Sequence, residues 1–382
     1  MPNYQDFSLY QNILTLCILL TSFATFITIA ANNTKEVKMS IAFILWHTIF
    51  SIGYYFYTLN SAADAKVYFR NSIMHNDFSL KPGSQIITCI TSFFTKGFFE
   101  FSYLNITLVY NFIGALGLLF LYKAIHFKMK GLSIYWFLIL FIPSMSFWSS
   151  GLGKEPFAFL GVCLFLYSIA QNKTNQVLLG LALISMFIVR PHIALMMLVS
   201  SVIYFIIRAK VHPVFKLISL PIILGSVVLS LSYVQKYVGL EDGSLETIGA
   251  YIDQRQGYNL GGGSSVDIAS MSYPMQMFTY VFRPLPFDAH SMVALITSIE
   301  NTILLLLFLF ISFKSKFNLR VLLEDKNLWL FTYAFLTCTV LALTTANLGI
   351  ATRQKWMFMP VVLYLLIYAY HDYNVKKNRE YA

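Results

Sequence analysis

Charge is scarce in this chain: Asp, Glu, Lys and Arg make up 12% of its 382 residues, against roughly 25% in a soluble globular domain. A sequence that is also 57% hydrophobic is not that of a water-soluble enzyme. Cysteine is sparse as well. Of the four, Cys17, Cys163 and Cys338 fall inside apolar runs and Cys89 stands alone, so neither a disulfide framework nor a CxxC metal site is expected. No metal and no cofactor follow from the residues. Acids are the rarer charge, 17 against 27 Lys and Arg; on a soluble protein the formal +10 would raise nucleic acid as a partner. Here the basic residues occupy short connectors between apolar stretches, with no basic arm and no zinc-ligand spacing. That excludes a nucleic-acid module and fits a chain oriented by a bilayer. Internal repeats and soluble domains are missing too.

What the sequence has is long apolar runs. A transmembrane helix needs about 20 predominantly apolar residues, and eleven runs qualify or come close. They are Leu9 to Ala31, Met39 to Leu59, Tyr103 to Tyr122, Leu132 to Trp148, Pro156 to Ala170, Gln176 to Val189, His192 to Ile207, Leu217 to Val234, Ser291 to Phe313, Leu328 to Ala346 and Trp356 to Tyr370. The expectation is one all-α polytopic membrane domain over 1–382, with long connectors at 60–102 and 235–290. Pooling alternate connectors puts 16 basic and five acidic residues on one side, and 11 basic and 12 acidic on the other. By the positive-inside rule the first side is cytoplasmic, the amino terminus lies outside and both long connectors are outer loops. The first run lacks the basic n-region of a signal peptide and is expected to stay as a helix. Gly261-Gly262-Gly263 in the second loop suits a flap over a site.

The unusual polar residues converge on that outer side. Asp64 follows the second run, Lys154-Glu155 fills a tight connector, and Arg190-Pro191-His192 separates two runs with nothing else between them. Arg255, Arg283, Asp288 and His290 belong to the second long loop, and Arg353 and Lys355 precede the last run. Charge beside hydrocarbon is costly unless paired or facing water, so its default reading is functional; the alternatives are snorkelling at the interface and, for Lys154-Glu155, a self-neutralising pair. Glu300 is the deepest acid. Lys154, Arg190, Arg255, Arg283, Arg353 and Lys355 suit an anion with several oxygens, since the arginine fork matches phosphate. Asp64, Glu155, His192 and His290 offer bases for a hydroxyl acceptor. Tyr251, Tyr258, Tyr273, Tyr280, Phe282 and Phe287 could stack on sugar rings or serve as an interfacial belt.

Several of these patches, Asp64-Ala-Lys-Val-Tyr68, Pro143 through Lys154-Glu155, Arg190-Pro-His192, Phe282-Arg283 through His290, and Arg353-Gln-Lys355, resemble bacterial O-antigen and capsule repeat-unit polymerases within the wider GT-C-like membrane glycosyltransferases. The resemblance implies a bacterial inner-membrane enzyme that joins polyprenyl-diphosphate-linked glycan units at the periplasmic face, with a chain-length regulator as a partner. It assigns diphosphate or glycan binding to Lys154, Arg190, His192, Arg255, Arg283, Arg353 and Lys355, and proton transfer to Asp64, Glu155 or His290. In GT-C enzymes the acidic first-loop residue usually follows the first helix; Asp64 follows the second. An O-antigen ligase, a transferase using a polyprenyl-phosphate sugar, and a lipid-linked oligosaccharide flippase are the rival readings.

Overall fold

A computed structural model of the chain describes residues 6–30, 33–74, 80–96, 99–208, 212–240, 244–257, 263–316 and 318–380. Those residues form helices and no strand, and they fall into two compact units. Among the described residues six helices are long and apolar enough to cross a membrane, which identifies the chain as a helical membrane protein. The other five runs differ from the expectation for physical reasons. Three give helices of only 16, 14 and 17 residues, about 21–26 Å at 1.5 Å per residue against a hydrocarbon core of about 30 Å. The run at Leu132 to Trp148 is broken: a 3-10 helix, Ile134–Phe141, ends at extended Ile142, and a seven-residue α-helix starts at Pro143. Proline disfavours α geometry in the residue before it. The last run opens with a 3-10 turn, and its helix carries a polar second half.

The first unit comprises α1 (Leu9–Ala30), α2 (Thr34–Leu59), α3 (Asp64–Met74), α4 (Ser84–Thr95), most of α5 (Tyr103–Lys128), the broken segment with α6 (Pro143–Ser149), α7 (Glu155–Ala170) and α8 (Gln176–Val189). Apolar burial alone does not drive helices together in lipid, so close backbone approach and cross-helix hydrogen bonds must do so. A methyl on Gly114 of α5 would collide with the Ser149 carbonyl, one on Gly151 with the Tyr54 ring, and one on Gly161 of α7 would press on Ala182 and Met186 of α8. Polar ties complete the packing: Gln11 and Asn105 join α1 to α5 at 2.7 Å, and the Tyr55 hydroxyl donates to Asp6 at 2.5 Å.

The second unit holds α9 (Pro191–Ile207), α10 (Pro213–Val238), α11 (Leu245–Gly257), α12 (Tyr273–Phe282), α13 (Met292–Lys314), α14 (Asp325–Thr344), α15 (Leu348–Gln354) and α16 (Met359–Glu380), with the last turn of α5 and the connectors around residues 130 and 171. Trp329, early in α14, donates to Ser201, late in α9, at 3.1 Å. The two helices are therefore antiparallel. At the carboxyl end of α14, Ser264 and Val266 bond to Leu348 and Ala346, and Gln256 reaches Leu343. Gly263 is a described turn residue, whereas Gly261 and Gly262 lie outside the described residues.

The glycines give a prediction with two signs. Gly114→Ala or Gly151→Ala should lower the melting temperature of the detergent-purified protein, because overpacking costs about 1–3 kcal/mol. Gly180→Ala, where a methyl meets open space inside α8, should raise it through helix propensity, worth about 0.5–1 kcal/mol.

Candidate functional site

In the first unit the end carrying the α6–α7 and α8–α9 breaks collects the polar chemistry. Glu155 is the first residue of α7 and Arg190 the last before α9, and their side chains meet at 3.1 Å with 10% and 16% exposure. Gly153 makes room for them: a methyl there would lie 2.8 Å from the Glu155 carboxylate. The Gly83 amide donates to the Ile188 carbonyl at 2.8 Å, which draws the segment before α4 to the same end. Arg190 uses one terminal nitrogen on Glu155, while its buried Nε has no protein acceptor among the described residues. Asp64 begins α3, beyond the end of α2, and Lys154 directly precedes α7.

In the second unit the predicted residues divide between tight internal partners and separate positions. Arg283 grips Asp288 through two bonds of 2.9 and 2.6 Å, and Asp288 also accepts from the Leu285 amide at 2.8 Å. Those bonds hold the Asp288 carboxyl below its ordinary range, against a smaller opposing effect of burial. His290 lies two residues on, close enough for its charge to act on Asp288. His192 stacks on Tyr237 with ring centroids 6.5 Å apart. Arg255 lies 6.0 Å over the Tyr251 ring, and Arg353 stands on α15.

Lys355 is the least expected. Its side chain is fully buried, and its ammonium donates to Asn301 Oδ1. Asn301 Nδ2 in turn donates to the Pro284 carbonyl at 3.0 Å. Asn301 is the tenth residue of α13, and the Tyr333 hydroxyl, near the middle of α14, donates to the Met357 carbonyl at 2.7 Å. Thus α15 turns back from the end of α14 to its midpoint, and α12 descends alongside until Pro284 reaches Asn301. One amide clasps a segment that turns back after α12 to the break in a passage, α15 followed by α16, that runs from one end of the unit to the other. Glu300 lies close enough for its charge to favour the Lys355 ammonium.

Sequence reasoning singled out Glu300 but missed its neighbour Asn301, and it missed a second cluster in the first unit. Buried His47 of α2 has Asn111 Oδ1 at 2.7 Å from Nδ1 and Ser149 Oγ at 2.9 Å from Nε2, and that hydroxyl also lies 2.6 Å from the Met145 carbonyl. The order Ser, His, Asn resembles a nucleophile relay. Exposures of 1%, 0% and 2% deny it water and substrate and make it a tie between α2, α5 and α6. Polar residues inside apolar runs were the available signal for all of these. Among the described residues no group of three His, Cys, Asp or Glu could hold a metal ion. No family model matches the chain, and no curated protein or solved structure matches it either.

The clasp yields a double-mutant prediction. Asn301→Leu leaves a buried ammonium without its acceptor and should destabilise by about 1–3 kcal/mol. Lys355→Met in the same chain should recover much of that loss, since replacing both partners of a buried polar pair is far milder than removing one. Melting of the four proteins measures the coupling, and strict additivity would refute the clasp.

Proposed function

We propose that the chain is a membrane glycosyltransferase of the polymerase type, joining polyprenyl-diphosphate-linked oligosaccharide units in surface polysaccharide biosynthesis on the periplasmic side of a bacterial inner membrane. The single observation that carries the reading is the Glu155–Arg190 pair. Two helix breaks hold a carboxylate and a guanidinium 3.1 Å apart in a part-buried site, and the arginine retains donors beyond the one spent on the glutamate. Transfer to a hydroxyl needs both. The acceptor oxygen bonds to the anomeric carbon and gives up its proton, for which Glu155 is the nearest base. The bond from that carbon to the phosphate oxygen breaks, and Arg190 meets the charge that develops on the leaving diphosphate.

The second unit supplies further support. An apolar cavity of about 220 Å³ bounded by Phe282, Phe308, Phe335 and Phe358 has the character that a polyprenyl tail requires. Arg283, next to Phe282, is spent on Asp288, so the reading assigns it to shaping the loop ahead of gripping phosphate. Lys154, His192, Arg255 and Arg353 keep their proposed part in binding diphosphate or glycan at the outer side, Asp64 and His290 remain alternative bases to Glu155, and eleven membrane passages with the amino terminus outside remain the proposed topology.

One observation favours the flippase reading. Ionisable groups deep in a helical membrane protein, here Lys355 and Glu300, together with a broken helix, are features of transport paths. The two readings separate in proteoliposomes. An enzyme lengthens lipid-linked repeat units into a ladder, whereas a flippase moves the units across the bilayer with no change in length.

Arg190→Ala should lower polymer yield by about 10²–10³, the effect of losing one transition-state donor, at unchanged membrane abundance. Arg190→Lys should keep part of the activity, because lysine retains charge and loses the fork. Normal ladders from the Ala variant would overturn the assignment. Topology is checked independently: a cysteine placed at Ser264 should react with an impermeant reagent from the periplasm, and one at Lys316 only after the cytoplasmic side is opened. The reverse pattern would invert the proposed orientation.

A further inference from the structure

The basic connectors that set the predicted orientation build a site of their own in the second unit. Where α5 ends, a cavity of about 450 Å³ is lined by Lys128, Lys130, Asn172, Tyr368, His371 and Asp372, within the roughly 300–1,000 Å³ typical of small-molecule sites. Three distant stretches of chain meet there, and specific bonds hold them. His371 Nε2 donates to the Lys130 carbonyl at 3.1 Å. Lys326 Nζ donates to the carbonyls of Gln171 and Asn172 at 2.6 and 3.2 Å, which fixes the middle stretch. The Lys128 ammonium lies 5.9 Å over the Tyr368 ring, so its position is set without a carboxylate.

The charge balance favours an anion. Asp372, the acid in the lining, is 2.7 Å from Lys376 and so largely offset. Glu324 and Asp325 act on Tyr368, and Glu324 also on Lys376, but neither lines the cavity. Lys326, behind the lining, is close enough to Lys128 for their charges to repel, and an anion beside Lys128 offsets that repulsion. Ordinary basic anchors need none of this. Lys314, which serves the same positive-inside bias, lies 5.9 Å over Phe310 of its own helix and lines no part of the cavity.

We propose that this cavity binds a phosphate-bearing ligand entering from the side of the membrane that carries the basic connectors, with Lys128 and Lys130 supplying the charge. Phosphate reaches such a site either as the headgroup of an anionic lipid or as a soluble phosphoryl compound. The proposal is independent of the chemistry at the breaks beside Glu155 and Arg190.

The full chain in nanodiscs tests it in two arms. One adds inorganic pyrophosphate to discs of phosphatidylcholine; the other replaces part of that lipid by phosphatidylglycerol. Protection from hydrogen exchange over residues 125–132 and 368–376, with a rise in melting temperature, is expected in one arm, and the responding arm identifies the source. Lys128→Gln with Lys130→Gln should weaken the response about tenfold or more, the size expected for loss of a charge-assisted contact, while Lys314→Gln leaves it intact. Asp372→Asn, which frees Lys376, should strengthen it severalfold and decides the matter if the double variant does not fold. No protection in either arm, an equal loss in Lys314→Gln, or an unchanged response in Asp372→Asn would overturn the proposal.

Discussion

Asn301 has a donor and an acceptor, and the second unit is built on both. Its acceptor takes the buried Lys355 ammonium and its donor holds the Pro284 carbonyl, so one side chain ties the turning point of a segment that enters the helix bundle and returns to the break in a passage that runs through it. The constraint behind this is general: backbone inside a membrane protein that is not in a spanning helix must find partners within the protein. At these turns the helical ladder cannot supply them. Pro284 has no N–H to give, and its carbonyl sits past the end of α12. Met357 belongs to a 3-10 turn, and its carbonyl is taken by Tyr333. Without those two acceptances both segments would present bare carbonyls to apolar surroundings.

The first unit meets the same constraint by different means. Its helices approach at glycines, close enough for backbone and ring to touch, and the polar groups that remain are paired across helices. His47 shows how tightly such pairing is drawn. A neutral ring protonated on Nδ1 donates to Asn111 and leaves Nε2 to accept from Ser149, yet that hydroxyl also faces the Met145 carbonyl with a single proton to offer. A ring flanked on both sides by polar groups from its neighbours holds three helices in register. The nucleophile-like order of the residues then carries no chemistry, because burial withholds everything that could react with it.

Composition and charge placement were enough to recognise a helical membrane protein, because a shortage of charge and runs of apolar residues act through length and solvation alone. In the second unit Lys130, Asn172 and Lys326 gather at one end and Gln256, Ser264 and Ala346 at the other. Breaks were harder to see. Leu132 to Trp148 reads as a span by hydropathy, and only Pro143, through its effect on Ile142, says otherwise. The descent of α15 was hidden for another reason. Nine residues between two apolar runs are as compatible with a surface turn as with a descent, and the deciding partners, Asn301 and Tyr333, lie 54 and 24 residues away from theirs. Glu155 and Arg190 were each singled out, but 35 residues separate them and no local pattern predicts their pairing.

Pairing also reorders the basic residues that looked equivalent in sequence. Six cations near an apolar boundary suggest a shared grip on one anion only while each is free to turn toward it. Arg283 is held by two bonds to a carboxylate that is itself pinned by a backbone amide, and moving it would strand Asp288. Lys355 is enclosed, and drawing it out would leave Asn301 without its proton donor. Arg190 is different in kind: it makes one bond to Glu155, keeps its remaining donors, and stands where two helices end. An anion arriving there would meet a cation that need not abandon its partner. The capacity to bind a charged substrate therefore rests less on how many cations a face carries than on which of them the fold has left partly uncommitted.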